Sequence, residues 1–216
     1  MKLAVFDCDG TMIDGQASIC AAMEAAFAAA GEPAPDRGAV RRIVGLSLPQ
    51  AVRRLAPDID DAALSAAVDA YKHAFRAARA DGSLQQPLFA GIADLVARLG
   101  AAGWQLGVAT GMSQRGLIHC LASHGLSDRF CTLQTADFHP SKPHPAMLEA
   151  ALAEALAAPD EAVMIGDTAY DMAMARSAGV RAVGVNWGYH EPDELLDAGA
   201  EWVASSPAEL GDYLLR

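Results

Sequence analysis

Apolar residues fall in short continuous runs along most of the chain, and each run ends in small or polar residues. KLAVFD (2–7), GWQLGVAT (103–110), CTLQT (131–135), EAVMIGD (161–167) and RAVGVN (181–186) have this form. They are too short for helices and apolar at consecutive positions, as strands covered on both faces are. Between them, apolar residues recur at helical spacing in IADLVARLGAAG (92–103), QRGLIHCLASHG (114–125), PAMLEAALAEAL (145–156) and DMAMARSAG (171–179). Three of these close on a glycine, Gly103, Gly125 or Gly179. Buried strands alternating with helices predict an α/β fold with a parallel, doubly wound sheet. EWVAS (201–205) and PAELGDYLL (207–215) add an edge strand and a closing helix.

Strand signals vanish between residues 15 and 82. That stretch is helical, broken near GEPAPDRG (31–38), VGLSLP (44–49) and APDID (56–60), and DGSLQQPLFAG (81–91) returns the chain to the sheet. The pattern predicts a core of residues 1–14 and 83–216 interrupted by an all-helical insertion, residues 15–82. Four helices of this kind form a cap able to close over a site, hinging near Gly15 and Gly82.

Composition and charge narrow the function. Apolar residues make up 52% and aromatics 6% of 216 residues, which suits helices packed closely on a sheet. A formal charge of -11 argues against general affinity for nucleic acid or anionic membranes. The N-terminus lacks a signal-peptide apolar core and no uncharged apolar run reaches the about 18 residues of a membrane span, so a cytoplasmic location is expected. Cys8, Cys20, Cys120 and Cys131 show no CxxC spacing, which disfavours zinc. Cys8 lies between two acids, but a strand end turns its side chain away from theirs, so packing is its expected role.

Polar groups gather where the strands stop. Asp7 and Asp9 follow the first, Thr110 and Gly111 the second, Lys142 in HPSKPHP the third, and Asp167 with Asp171 in GDTAYD the fourth. In an open parallel sheet, ligands bind beyond the carboxyl ends of the strands, near the reversal of strand order. These groups are expected to converge in one crevice. Each has a plainer reading: a helix cap for Asp7, Asp9 or Asp171, a solvated loop for Lys142, a strand end for Thr110. Four such groups in sequence at successive strand ends favour a site.

With DCDGT, VATG, SKP and GDTAYD in this order, the chain resembles the haloacid dehalogenase superfamily of aspartate-nucleophile phosphotransferases, in its branch with a helical cap after the first strand. The resemblance covers nearly the whole chain. It implies Asp7 as the nucleophile and Asp9 as the general acid and base. Thr110, Gly111 and Lys142 would hold phosphate oxygens. Asp167 would bind Mg²⁺ alongside Asp7 and the backbone carbonyl of Asp9, with Asp171 supporting Lys142 or a metal-bound water. Magnesium takes oxygen ligands and suits such a set. The implied partner is a small phosphorylated metabolite.

Within the superfamily, Asp9 disfavours a dehalogenase. Gly45, Leu46, Ser47 and Leu48 occupy the cap loop that chooses the substrate. Leu48 stands where mutases and phosphonate hydrolases carry a basic residue, although Arg53 and Arg54 lie one turn later. The pattern is most similar to phosphoglycolate phosphatases, with a sugar-phosphate mutase or a phosphonatase as alternatives. Lys72, Arg76 and Arg79 are candidates to meet a substrate carboxylate but are expected as a solvated face. His139, His144 and His190 are expected to be solvated or to act behind the site, His119 and His124 to be structural, and Met172 and Met174 to lie in the core. Two non-hydrolase alternatives are a phospho-accepting receiver centred on Asp137 and an inactive scaffold. The DxDGT order and the insertion argue against the first, and the intact acids and lysine against the second.

Overall fold

A computed structural model describes residues 2–216. Six strands form one parallel sheet: β1 (Leu3–Phe6), β2 (Gln105–Thr110), β3 (Thr132–Thr135), β4 (Ala162–Gly166), β5 (Arg181–Val185) and β6 (Trp202–Ala204). Their order is β3-β2-β1-β4-β5-β6. Strand β1 therefore lies at the centre, with Phe6 beside Val108 on one side and Ile165 on the other. The chain runs outward through β2 and β3, then returns to β4, so strand order reverses at β1.

Side chains of β1 alternate between two cores. Ala4, Phe6 and Cys8 pack with α5 (Ile92–Ala101), α6 (Gln114–Ser123) and α10 (Pro207–Leu214). Leu3 and Val5 pack on the other face with α7 (Ala146–Ala155), α8 (Ala169–Ser177) and α9 (Pro192–Ala198). The sheet is covered twice, which is why its strands read as unbroken apolar runs. Cys8 is buried beside Cys120, as packing requires; their hydrogen bond and burial push its thiol well above the ordinary range. Met172 and Met174 lie in the second core.

Residues 16–80 hold four helices: α1 (Gln16–Ala30), α2 (Arg37–Arg42), α3 (Leu48–Leu55) and α4 (Asp61–Ala80). Asp36 and Asp60 cap α2 and α4 by accepting from the Ala39 and Ala63 amides. The four helices share a core of their own, including Met23, Phe27, Val40 and Val52. Helix α9 has no counterpart in the sequence expectation. With seven residues and one buried side chain, Leu195, it carries too little periodicity to be read. No described helix is long and apolar enough to cross a membrane.

Candidate active site

The polar groups at the strand ends do converge. Asp7 follows β1, and its amide donates to Ile165 O of β4 at 2.9 Å, which ties the acid to the switch point. Gly10 then turns the chain with φ of 85°, and a Cβ there would stand 2.2 Å from Asp167 Oδ2. Only glycine permits that approach. Lys142 is fully buried, 2.6 Å from Asp171 Oδ1 and 2.9 Å from Asp7 Oδ1. Asp7 Oδ1 thus has an ion pair, but neither oxygen of Asp7 accepts a well-aligned hydrogen bond.

Asp167 is held by two donors. Thr11 Oγ1 donates to its Oδ1 at 2.8 Å and the Tyr189 amide to its Oδ2 at 2.9 Å. Asp171 is the third residue of α8, not its N-cap as the sequence suggests. Thr168 is the cap, and the Asp171 carboxylate accepts from the Thr168 amide and hydroxyl in a capping box. Both its oxygens are thereby committed, one to Lys142 and one to Thr168.

Oxygens of Asp7, Asp167 and Asp171 lie within 4.8 Å of one another, all buried. Three carboxylates against one ammonium leave the cluster two charges negative when ionised. Burial raises Asp7 to about 6, opposed by Lys142 and reinforced by Asp171. Burial and the neighbouring acids hold Asp167 well above the carboxylate range. Burial opposes charge on Lys142 too, but Asp171 and Asp7 outweigh it and raise its pKa. This donor set fits a hard divalent cation. Asp7 has Lys142 on one oxygen and Asp167 has one donor per oxygen, so these two keep lone pairs to hold it, whereas Asp171 is occupied by Lys142 and Thr168.

Asp9 stands apart from the cluster. It is half-buried and lines the cavity, with Oδ1 buried and unpartnered. Burial raises it to about 7, with the charge of Asp7 adding. Two carboxylates two residues apart therefore have different environments.

A cavity of about 530 Å³ opens above these groups, between the sheet edge and the four helices. Asp7, Asp9, Thr110 and Gly111 line it, as do Gly45, Leu46, Ser47 and Leu48. Lys142, Asp167 and Asp171 contribute no lining and lie behind Asp7. A Cβ on Gly111 would stand 2.5 Å from Leu46 O, so the loop of residues 45–48 rests directly on the strand end. The Ser47 amide donates to Ser141 Oγ at 2.7 Å, joining that loop to the segment that carries Lys142. On the far side, the Arg42 guanidinium clasps Glu194, whose carboxyl that contact holds down to about 2. The Arg42 carbonyl accepts from Tyr170 Oη and His190 Nε2. His190 Nδ1 accepts from the Ala169 amide, so its proton sits on Nε2.

Several expectations change. Of its two expected roles His190 takes the one behind the site: it is buried, and its amide donates to Asp167 O at 3.2 Å. Arg53 pairs with Asp61 and Arg54 is exposed, and neither lines the cavity. Lys72, Arg76 and Arg79 do line it, although Lys72 and Arg76 are otherwise exposed. Asp137 receives the Gln114 amide at the start of α6 and takes no part in the acidic cluster. Sequence reasoning assigned no site role to Thr11, Ser141, Tyr189 or Arg115. Thr11 lies inside the quoted motif, and Tyr189 lies in a loop after a fifth strand end, where the same rule would have searched.

An open parallel sheet with a buried acid and lysine cluster beyond its central strand defines an α/β enzyme with an anion-and-cation site at the switch point. The sequence profile of the haloacid dehalogenase-like hydrolases matches residues 4–185. The chain therefore belongs to the haloacid dehalogenase-like hydrolase family. It is 34% identical over 214 residues to a probable phosphatase, IndB, of Dickeya dadantii, covering 96% of this chain and 91% of that protein. It is 26% identical over 224 residues to a phosphoglycolate phosphatase of Vibrio vulnificus, covering 100% and 96%. The crystal structure of a predicted phosphatase from Clostridium acetobutylicum superposes with a TM-score of 0.89 at 25% identity, covering 99% of this chain and 98% of that one.

Proposed function

We propose that the chain is a magnesium-dependent phosphatase that hydrolyses a phosphomonoester through an aspartyl-phosphate on Asp7. The carrying observation is the contrast between its two acids. Asp7 lines the cavity and is ion-paired through Oδ1 with Lys142, while Asp9 lines the same cavity outside the acidic cluster. The similarity to proteins named phosphatases supports the same reading.

In this mechanism an Asp7 oxygen attacks phosphorus, forming the acyl phosphate as the bond to the leaving oxygen breaks. Asp9 gives that oxygen its proton, then takes one from the water that attacks phosphorus and frees Asp7. Lys142 offsets the repulsion between Asp7 and an anionic substrate, and Thr110 and the Gly111 amide receive phosphate oxygens. Magnesium held by Asp7 and Asp167, with the Asp9 carbonyl, would supply further charge neutralisation. A pKa of about 7 suits Asp9 to both proton transfers near neutrality. The four helices act as a cap that moves about Gly15 and Gly82 and excludes bulk water on closing.

Turnover of a phosphomonoester panel with and without EDTA tests this: release of inorganic phosphate only with magnesium is expected, and isomerised sugar phosphate in its place would favour a mutase. Two further results are expected. Gly111→Ala pushes the residue 45–48 loop off the strand end and lowers kcat/KM about 10- to 100-fold, read by steady-state kinetics. Magnesium raises the melting temperature more at pH 8 than at pH 5, because the metal needs an ionised Asp7 and Asp7 titrates near 6. Equal shifts at the two pH values would count against Asp7 as a ligand.

A further inference from the structure

The cavity above Asp7 and Asp9 has a second, cationic end. Lys72, Arg76 and Arg79 stand at i, i+4 and i+7 of α4 and share a face. Arg115, in the first turn of α6, lines the same cavity. None of these four cations has an ion pair or hydrogen bond among the described residues. Elsewhere the chain pairs its arginines readily: Arg37 with Glu24, Arg42 with Glu194, Arg98 with Asp212, Arg181 with Glu201. With 27 acids against 16 bases, four cations without an ion pair along one cavity are not the default arrangement. Asp137 also lines the cavity, but its carboxylate is engaged by the Gln114 amide. Arg79 is half-buried with its Nε sealed from solvent and unpartnered. Burial, and then the like charge of Arg115, lower its pKa, and both side chains line the one cavity.

The two ends are well separated. Tyr71 and Arg79 of α4 both line the cavity. Eight residues of helix between them span about 12 Å. Phe75 lies midway on the same wall, and Met23 and Leu48 add apolar lining. A cavity of about 530 Å³ falls within the range of about 300–1,000 Å³ that encloses drug-sized ligands. A two-carbon acid phosphate would fill one end and leave the cations unanswered.

We propose that the substrate is an elongated phosphomonoester whose leaving group ends in a second anionic group, a carboxylate or a phosphate, held by Arg79 and Arg115 with Lys72 and Arg76 at the rim, and whose middle is apolar and packs on Phe75, Met23 and Leu48. This rests on the phosphatase reading and deepens it. The second anion supplies the partner that Arg79 and Arg115 lack, and the apolar span matches the lining between them and the acids.

The test compares kcat and KM for hexyl phosphate, phosphonooxyhexanoate, hexanediol bisphosphate and phosphoglycolate in the magnesium-loaded enzyme. One or both doubly charged hexyl compounds are expected to exceed hexyl phosphate and phosphoglycolate in kcat/KM by about tenfold, mostly through KM. Whichever is better names the terminal group. In Arg79→Gln/Arg115→Gln the ratio of doubly to singly charged substrate falls toward one, while Arg79→Lys/Arg115→Lys keeps the preference. Arg115→Gln alone, at an exposed helical position, is expected to remove part of it. Turnover of hexyl phosphate without preference for the charged analogues, or a preference that survives the double glutamine variant, overturns the inference and leaves the phosphatase reading standing. No turnover of any of the four compounds overturns both.

Discussion

Asp7→Asn is expected to lower kcat by about 10⁴-fold or more while leaving the fold intact. The amide has nearly the same shape, so the packing of β1 against β2 and β4 is unchanged, but it is not a nucleophile at phosphorus. Its effect on stability has a definite sign. Asp7 titrates near 6 in the folded chain against 3.8 for the ordinary group. A raised folded pKa contributes stability that is fully present below about pH 4 and is lost as pH rises through about 6. Without metal, the parent protein therefore loses stability across that window through Asp7, and the asparagine variant does not. Melting in metal-free buffer at pH 5 and pH 8 should show the variant gaining on the parent at the higher pH. A variant that keeps a tenth of the parent kcat would refute the nucleophile assignment.

Lys142→Met is expected to cost about 3–5 kcal/mol of unfolding free energy at pH 8, the usual penalty for leaving buried charges without their partner. Lys142 is fully buried between Asp7 and Asp171, and its aliphatic stem is replaced by one of similar volume, so the loss is electrostatic rather than a cavity. Removing the cation takes away the main influence that lowers Asp7, so its pKa rises further. Protons then neutralise the cluster as pH falls, and the penalty shrinks toward pH 5. Denaturant unfolding at both pH values measures the difference. A variant as stable as the parent at pH 8 would mean that the acids are not charged together.

The strand-end rule pointed to Asp7, Asp9, Thr110, Gly111, Lys142, Asp167 and Asp171 because each sits at the end of a buried apolar run or up to seven residues past it, a signal carried within a single segment. What it did not reveal depends on contacts between distant segments. Lys72, Arg76 and Arg79 read as a solvated face because helical spacing says which residues share a side, not what lies opposite. Here the opposite wall is the strand end and α6. Arg53 and Arg54 were closer in sequence to the cap loop, yet they point away from the cavity, one of them to Asp61. Asp171 offered a capping residue type but not the register, which Thr168 sets three residues earlier. The need for glycine at position 111 arises only because the carbonyl of Leu46, 65 positions away, rests on it. Helix α9 is anchored by a single side chain and by Arg42 on Glu194, neither of which leaves a periodic trace.

The central claim is that Asp7 is transiently phosphorylated while Asp9 moves the proton. Rapid acid quench of the Asp9→Asn variant during turnover, followed by peptide mass spectrometry, tests it most directly, because slowed hydrolysis should let the acyl phosphate accumulate. The account predicts one phosphoryl group on the N-terminal peptide, at Asp7. Turnover with that peptide unmodified, or a phosphoryl group at Asp137 or any other residue, would contradict it.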